Sequence, residues 1–120
     1  MANGRFTFEG GSNAIAQIID RAKPSAVLAA NDLMAIGALR RLLASGVRVP
    51  DDVSVAGFDD IPLAEYGPIP LTTMKVPTDH IGREAAALLL RILHGGDAPD
   101  VTLDGEIIER DSVARIGSGA

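Results

Sequence analysis

The sequence predicts an α/β fold of three layers, a mainly parallel sheet flanked by helices. Three observations carry that prediction. Apolar runs of strand length, at 26–30 and 53–57, alternate with segments of helical periodicity. The links between them are short, which implies right-handed crossovers between neighbouring parallel strands. Both runs also end in polar residues, Asn31-Asp32 and Asp59-Asp60. Two such strand ends place polar side chains together at the carboxyl edge of a sheet, where open α/β folds bind small ligands.

The elements follow in order. Gly10-Gly11 reads as a break and Ser12 as the N-cap of a first helix. Ile15, Ile18, Ile19 and Ala22 fall at helical spacing, and Pro24 closes the segment. The continuous apolar run at 26–30 is the pattern of a strand covered on both faces. Over 32–45 the helical period returns in Leu33, Ile36, Leu39, Leu42 and Leu43, and Gly46 suits the position after the last turn. Pro50-Asp51 marks a turn before the second strand at 53–57. Pro62, Gly67, Pro68 and Pro70 forbid a long element within 59–71. A third strand, 71–76, ends at Pro77. Thr78 or Asp79 caps the strongest helix of the chain, 79–95. Its Ile81, Ala85, Leu88, Leu89, Ile92 and Leu93 form one apolar stripe, and Gly95-Gly96 stops it. Extended segments at 101–103 and 106–113 follow, then a flexible tail at 117–120.

Composition narrows the function. At 120 residues and 47% hydrophobic, the chain is one domain or a piece of one, with a modest core. Three Phe and one Tyr leave that core to Leu, Ile, Val and Ala. The absence of Cys excludes a disulfide framework and a Cys-ligated metal. No apolar stretch is long enough to span a membrane, and the N-terminal residues lack the core of a signal peptide. The expected compartment is the cytoplasm, with no membrane partner. A net charge of −5, from 11 basic and 16 acidic residues, argues against this chain gripping a phosphate backbone by itself. Arg40-Arg41, the one adjacent basic pair, reads as a solvated helix face.

No catalytic set emerges, so no enzyme is expected, and neither a metal nor a cofactor. His80 and His94 match no metal-ligand spacing and read as surface residues. Asp59 and Asp60 are adjacent on a strand, so their side chains point to opposite faces and do not share a proton unless the chain turns between them. Ser54 lacks a nucleophile-elbow frame. Asn31 is either the N-cap of helix 32–45 or an amide aimed at a ligand. Asp59 has no helix to cap, since Pro62 follows, and a carboxylate there can accept bonds from neighbouring sugar hydroxyls or pair with a basic ligand. Phe58 reads as core. Phe6 and Phe8 either line a cleft or pack inside.

Five motifs keep one order and spacing: AANDLMAIGALR at 29–40, VPDDVSVAGFDD at 49–60, PLTTM at 70–74, IGR at 81–83 and ERDS at 109–112. In combination they resemble the effector domain of the lactose-repressor (LacI/GalR) family of bacterial transcription regulators, over residues 4–113. The resemblance implies one lobe of a two-lobed, periplasmic-binding-protein-like fold with a sugar or nucleoside effector between the lobes. It implies effector contacts from Asn31, Asp59 and Phe6, and a homodimer surface on helix 32–45 at Leu33, Met34 and Ile36.

Residues 1–116 then correspond to the C-terminal lobe, with helix 79–95 belonging to a first lobe that this chain lacks. DNA would be reached only through a helix-turn-helix module that is also lacking. The stripe on 79–95 is expected to be buried even so, either folded back on the chain's own sheet or against a second chain by domain exchange through 76–78. Two other readings stay open: a sugar-binding component of a transport system, and a self-associating half-domain without ligand.

Overall fold

A computed structural model describes residues 1–117. The elements run α1 (Phe8–Ala22), β1 (Ala26–Leu28), α2 (Asp32–Ala44), β2 (Ser54–Asp59), α3 (Leu63–Tyr66), β3 (Thr72–Lys75), α4 (Thr78–Leu93) and β4 (Glu106–Ile108). The four strands form one sheet in the order β1-β2-β3-β4. β1 pairs with β2, and β2 with β3, both parallel, in the register Val27↔Val55 and Gly57↔Thr73. The chain divides into two compact units, Met1–Lys75 with the segment from Ile107 onward, and Val76–Glu106. The predicted tail at 117–120 lies, from 118 on, outside the described residues.

In the first unit α1 and α2 cross over a shared core. Ile15 of α1 and Ala35, Ile36, Ala38, Leu39 and Leu42 of α2 pack with Val53, Val55, Ala64 and Leu71. The helices approach closely because glycines stand at the crossing. A Cβ at Gly11 would overlap the Met34 carbonyl oxygen, and one at Gly37 that of Phe8. This corrects the expected break at Gly10-Gly11. α1 runs through both glycines and is capped by Thr7, whose hydroxyl accepts from Gly10 N at 2.9 Å, rather than by Ser12. The helical cost of glycine, about 1 kcal/mol relative to Ala, is accepted where a Cβ has no room.

Side chains alternate along β2, so Val55 and Gly57 face α2 while Ala56 and Phe58 face away. Leu28 and Phe58 are exposed, 79% and 43%. β1 is therefore not covered on both faces, its strand is three residues long rather than five, and Phe58 is not core. β2 runs later than expected and includes Asp59. Gly46 does end α2, at φ +78, with Val47 N donating to Leu42 O at 3.0 Å. One helical turn, α3, sits inside the proline-rich segment.

Only 106–108 of the expected strand 106–113 is a strand, and 101–103 is not one. The next residues bond to β2 and β3 through side chains and through Val55 N, which donates to Ser112 O at 2.8 Å. Buried Ser112 accepts from Thr72 N at 2.8 Å and donates to Val55 O at 2.6 Å. Arg110 N donates to the Thr72 hydroxyl at 2.9 Å.

The second unit holds α4 and the segment beyond it. Pro77, not Thr78 or Asp79, occupies the N-cap position, without a side-chain cap bond. The helix ends at His94-Gly95, where Gly96 N donates to Arg91 O at 2.8 Å. Ile81, Ala85 and Leu88 line an open hollow with Val101 and Leu103. No residue of α4 is buried, and Leu93 is 70% exposed. Within the second unit this open hollow is the cover that the stripe finds.

Candidate functional site

All the residues expected to contact an effector lie in the first unit. Asn31 has extended backbone, and its Oδ1 accepts from Met34 N at 3.0 Å, so it caps α2. Its Nδ2 also donates to the Phe6 carbonyl at 3.3 Å, which ties the segment before α1 to the β1–α2 junction. Phe6 itself is 66% exposed, on a backbone with φ +56. Phe8 is half-buried, its ring centroid 5.4 Å from the Arg40 guanidinium. The two phenylalanines therefore divide: Phe8 packs, and Phe6 is presented.

At the end of β2 the backbone leaves the ordinary regions. Asp59 has φ +112 and Asp60 φ +56. Such conformations cost about 1–3 kcal/mol each and persist only when the surroundings hold them. The two carboxylates have separate environments. Asp59 is exposed. Asp60 accepts from Arg110 Nη2 at 2.8 Å, and both partners are largely shielded, at 15% and 17% exposure. Arg110 Nη1 also donates to Leu71 O at 2.9 Å.

Asp32 is the residue that sequence reading passed over. Its carboxylate is fully buried. Oδ1 accepts from the Thr73 hydroxyl at 2.6 Å and Oδ2 from Ile61 N at 2.9 Å. It thus joins the start of α2 to β3 and to the residue that follows Asp59-Asp60. Gly57 makes room for it, since a Cβ there would overlap Asp32 Oδ1. A glycine two residues before a strand-end carboxylate was the available signal. Together these bonds bring the Phe6 backbone, Asn31, Asp32 and the loop after Asp59 into one connected network at the strand ends.

The expected dimer surface is only partly presented. Ile36 is 2% exposed, because its position on α2 faces the core. Met34 is half-buried between the helices, where a Cβ at Gly4 would collide with its side chain. Leu33, 39% exposed, faces outward.

In the second unit both histidines are exposed. His80 Nε2 lies 3.6 Å from Glu84 Oε1, and His94 Nδ1 lies 2.7 Å from Leu90 O. The perturbed titrating pair is Arg48 with Asp52, on the turn before β2. The side-chain hydrogen bond from Arg48 holds the Asp52 carboxyl below its ordinary range, and the same bond raises Arg48.

Comparison with known proteins fits this geometry. Residues 2–113 match the family described as periplasmic binding protein-like domain. The chain is 43% identical over 115 residues to the transcriptional regulator AscG of Escherichia coli, covering 94% of this chain and 34% of that protein. It is 43% identical over 94 residues to a lactose operon repressor of Rhizobium radiobacter, covering 78% of this chain and 83% of that one. Among solved structures, a complex of the transcriptional regulator CelR with cellobiose superposes with a TM-score of 0.82 at 44% identity, over 89% of this chain and 34% of that one. The chain spans about a third of the length of AscG.

Proposed function

The chain belongs to the periplasmic binding protein-like domain family of LacI-type regulators, and on that premise we propose that it is the effector-sensing part of a transcriptional regulator rather than an enzyme. Its ligand is a sugar or nucleoside, received by Asp59, Asn31 and Phe6. The observation that carries this reading is the exposed Asp59 carboxylate on a strained strand end, within the network that also orders Asn31 and Phe6. Asp59 supplies acceptors for paired hydroxyls. Asn31 has a second amide hydrogen beyond the one bonded to Phe6 O, and that hydrogen is a donor for a ligand oxygen. Phe6 offers an apolar ring face to a sugar or base.

The residues 1–116 act as the C-terminal lobe, and the helix 79–95 as the piece that packs on a partner lobe. DNA contact is the work of a separate helix-turn-helix module. The cytoplasm is the compartment such a role requires; no described helix is long and apolar enough to cross a membrane.

Calorimetric titration with sugars and nucleosides, beginning with cellobiose, tests the site. Binding by the wild-type chain that is lost in Asp59→Ala is the expected result. Heat that persists unchanged in Asp59→Ala overturns the assignment.

A second reading concerns assembly. Leu89, Leu90, Ile92 and Leu93 of α4 are each more than half exposed, a cost for a small domain that a second copy relieves. A homodimer formed through α4 by exchange at 76–78 is the form this takes.

A further inference from the structure

We propose that Arg110 is a positioning residue for the ligand carboxylate: through Asp60 it holds the strained Asp59 turn and fastens it to the segment by which the chain returns from the second unit. The inference rests on the reading of Asp59 as a ligand group.

Four observations support it. First, Asp59 and Asp60 both have positive φ, and neither is a glycine. Non-glycine residues adopt this region when surrounding contacts impose it. Second, those contacts come from both faces of the sheet. Asp32 bonds Thr73 on the α2 face and reaches Ile61 N, while Arg110 reaches Asp60 from the Thr72 face. The turn is gripped at consecutive residues, 60 and 61, directly after the ligand group. Third, Arg110 is itself anchored by bonds that do not involve Asp60. Its N donates to the Thr72 hydroxyl, that hydroxyl donates to Arg110 O at 3.2 Å, and Asp111 N donates to Pro70 O at 3.0 Å. Its guanidinium divides between Asp60 and Leu71 O, a two-point attachment that needs the planar fork of arginine. Fourth, the chain re-enters the first unit at Ile107, three residues before Arg110. The ion pair thus links the returning segment directly to the residue beside Asp59.

Amide hydrogen exchange of the ligand-free full chain, read residue by residue by NMR, tests the inference. Arg110→Met keeps the aliphatic stem and the backbone bonds to Thr72 but removes the fork. It should speed exchange at Ile61, whose N–H is bonded to Asp32, at least tenfold while leaving Val55 and Leu39 unchanged. Asp60→Ala, which attacks the pair from the other side, should give the same pattern and serves if Arg110→Met does not fold. Arg110→Lys retains the charge but not the fork and should recover only part of the protection.

For any titrated sugar that the wild type binds, both disruptive variants should weaken binding about tenfold. Their double variant should be no worse than either alone. Unchanged exchange at Ile61 in both single variants overturns the proposal, as does a uniform rise across the core, which would mark Arg110 as a general stabiliser. A wild type that binds no sugar or nucleoside while Arg110→Met still loosens Ile61 counts against the ligand reading alone.

Discussion

Replacing Asp32 tests whether one buried carboxylate organises the ligand edge. In Asp32→Ala the Thr73 hydroxyl and the Ile61 N–H lose their acceptors together. A buried donor left without a partner costs about 1–3 kcal/mol, so the pair gives a loss of roughly 2–5 kcal/mol. Domains of this size are stabilised by about 5–15 kcal/mol, so the variant should still fold.

Asp32→Asn behaves differently. The amide oxygen can accept from Ile61 N, and the amide N–H₂ can donate to a Thr73 hydroxyl rotated to receive it. The Ile61 bond survives and the Thr73 bond reverses, but the displaced hydroxyl hydrogen and the second amide hydrogen need new acceptors, so the expected loss is about 1–2 kcal/mol, smaller than for Asp32→Ala. Urea denaturation followed by far-UV circular dichroism separates the two. With a slope of about 1–1.5 kcal/mol/M, Asp32→Ala should move the midpoint down by roughly 1.3–5 M, and Asp32→Asn by the smaller amount of about 0.7–2 M. Equal midpoints for Asp32→Ala and wild type, at unchanged slope, would refute the role given to Asp32.

The other tests address packing, titration and assembly. Gly37→Ala places a Cβ against the Phe8 carbonyl. Its thermal midpoint should fall by the equivalent of about 1–3 kcal/mol, and a rise, as helix propensity alone would give, would contradict the close crossing of α1 and α2. Asp52 should titrate below the ordinary carboxylate range in an NMR pH series, because Arg48 bonds its charged form. Since the folded pKa is the lowered one, its contribution to stability is present above the unfolded pKa and fades as pH falls through the folded one. The pair is solvent-exposed, so 0.5 M NaCl should move the midpoint back toward the ordinary value. Light scattering over a concentration series should show a dimer that Leu89→Glu with Leu93→Glu converts to monomer; a strict monomer in the unmodified chain sinks the α4 assembly.

The parts of the fold that were legible in the sequence are those written locally. α2 announced itself by Asn31 before it and Gly46 after it, and both act within a few residues: one side-chain cap and one left-handed turn. The apolar runs before Asn31 and Asp59 marked where parallel strands would end, and both carboxyl edges lie close to those positions. What misled was local evidence overruled from a distance. Gly10-Gly11 looks like a breaker until the Met34 backbone is seen against Gly11. Phe58 looks like core until one face of the sheet is seen to carry it outward. Ile36 and Leu33 share one helix, and only the neighbouring sheet decides which of them is interior.

The site shows the same division, with a consequence for how it works. Asn31 was weighed as either a cap or a ligand group, yet the two uses draw on different atoms of one amide. Capping commits Oδ1 to Met34 N and so fixes the side chain; the nitrogen is then held toward Phe6 O with one hydrogen to spare. The cap is what orders the donor. Asp59 is held in the same indirect way, by Asp32 and Arg110 acting on the residues after it. Those partners lie 41 residues from Thr73 and 50 from Asp60 in the chain, so no window along the sequence contains both ends of either bond. The proposed ligand edge leaves Asp59 and Phe6 exposed and draws its precision from buried Asp32 and largely shielded Arg110, which act through other residues. Substitution at Asp32 or Arg110 should therefore alter binding through the angle at which Asp59 is offered, with its carboxylate intact.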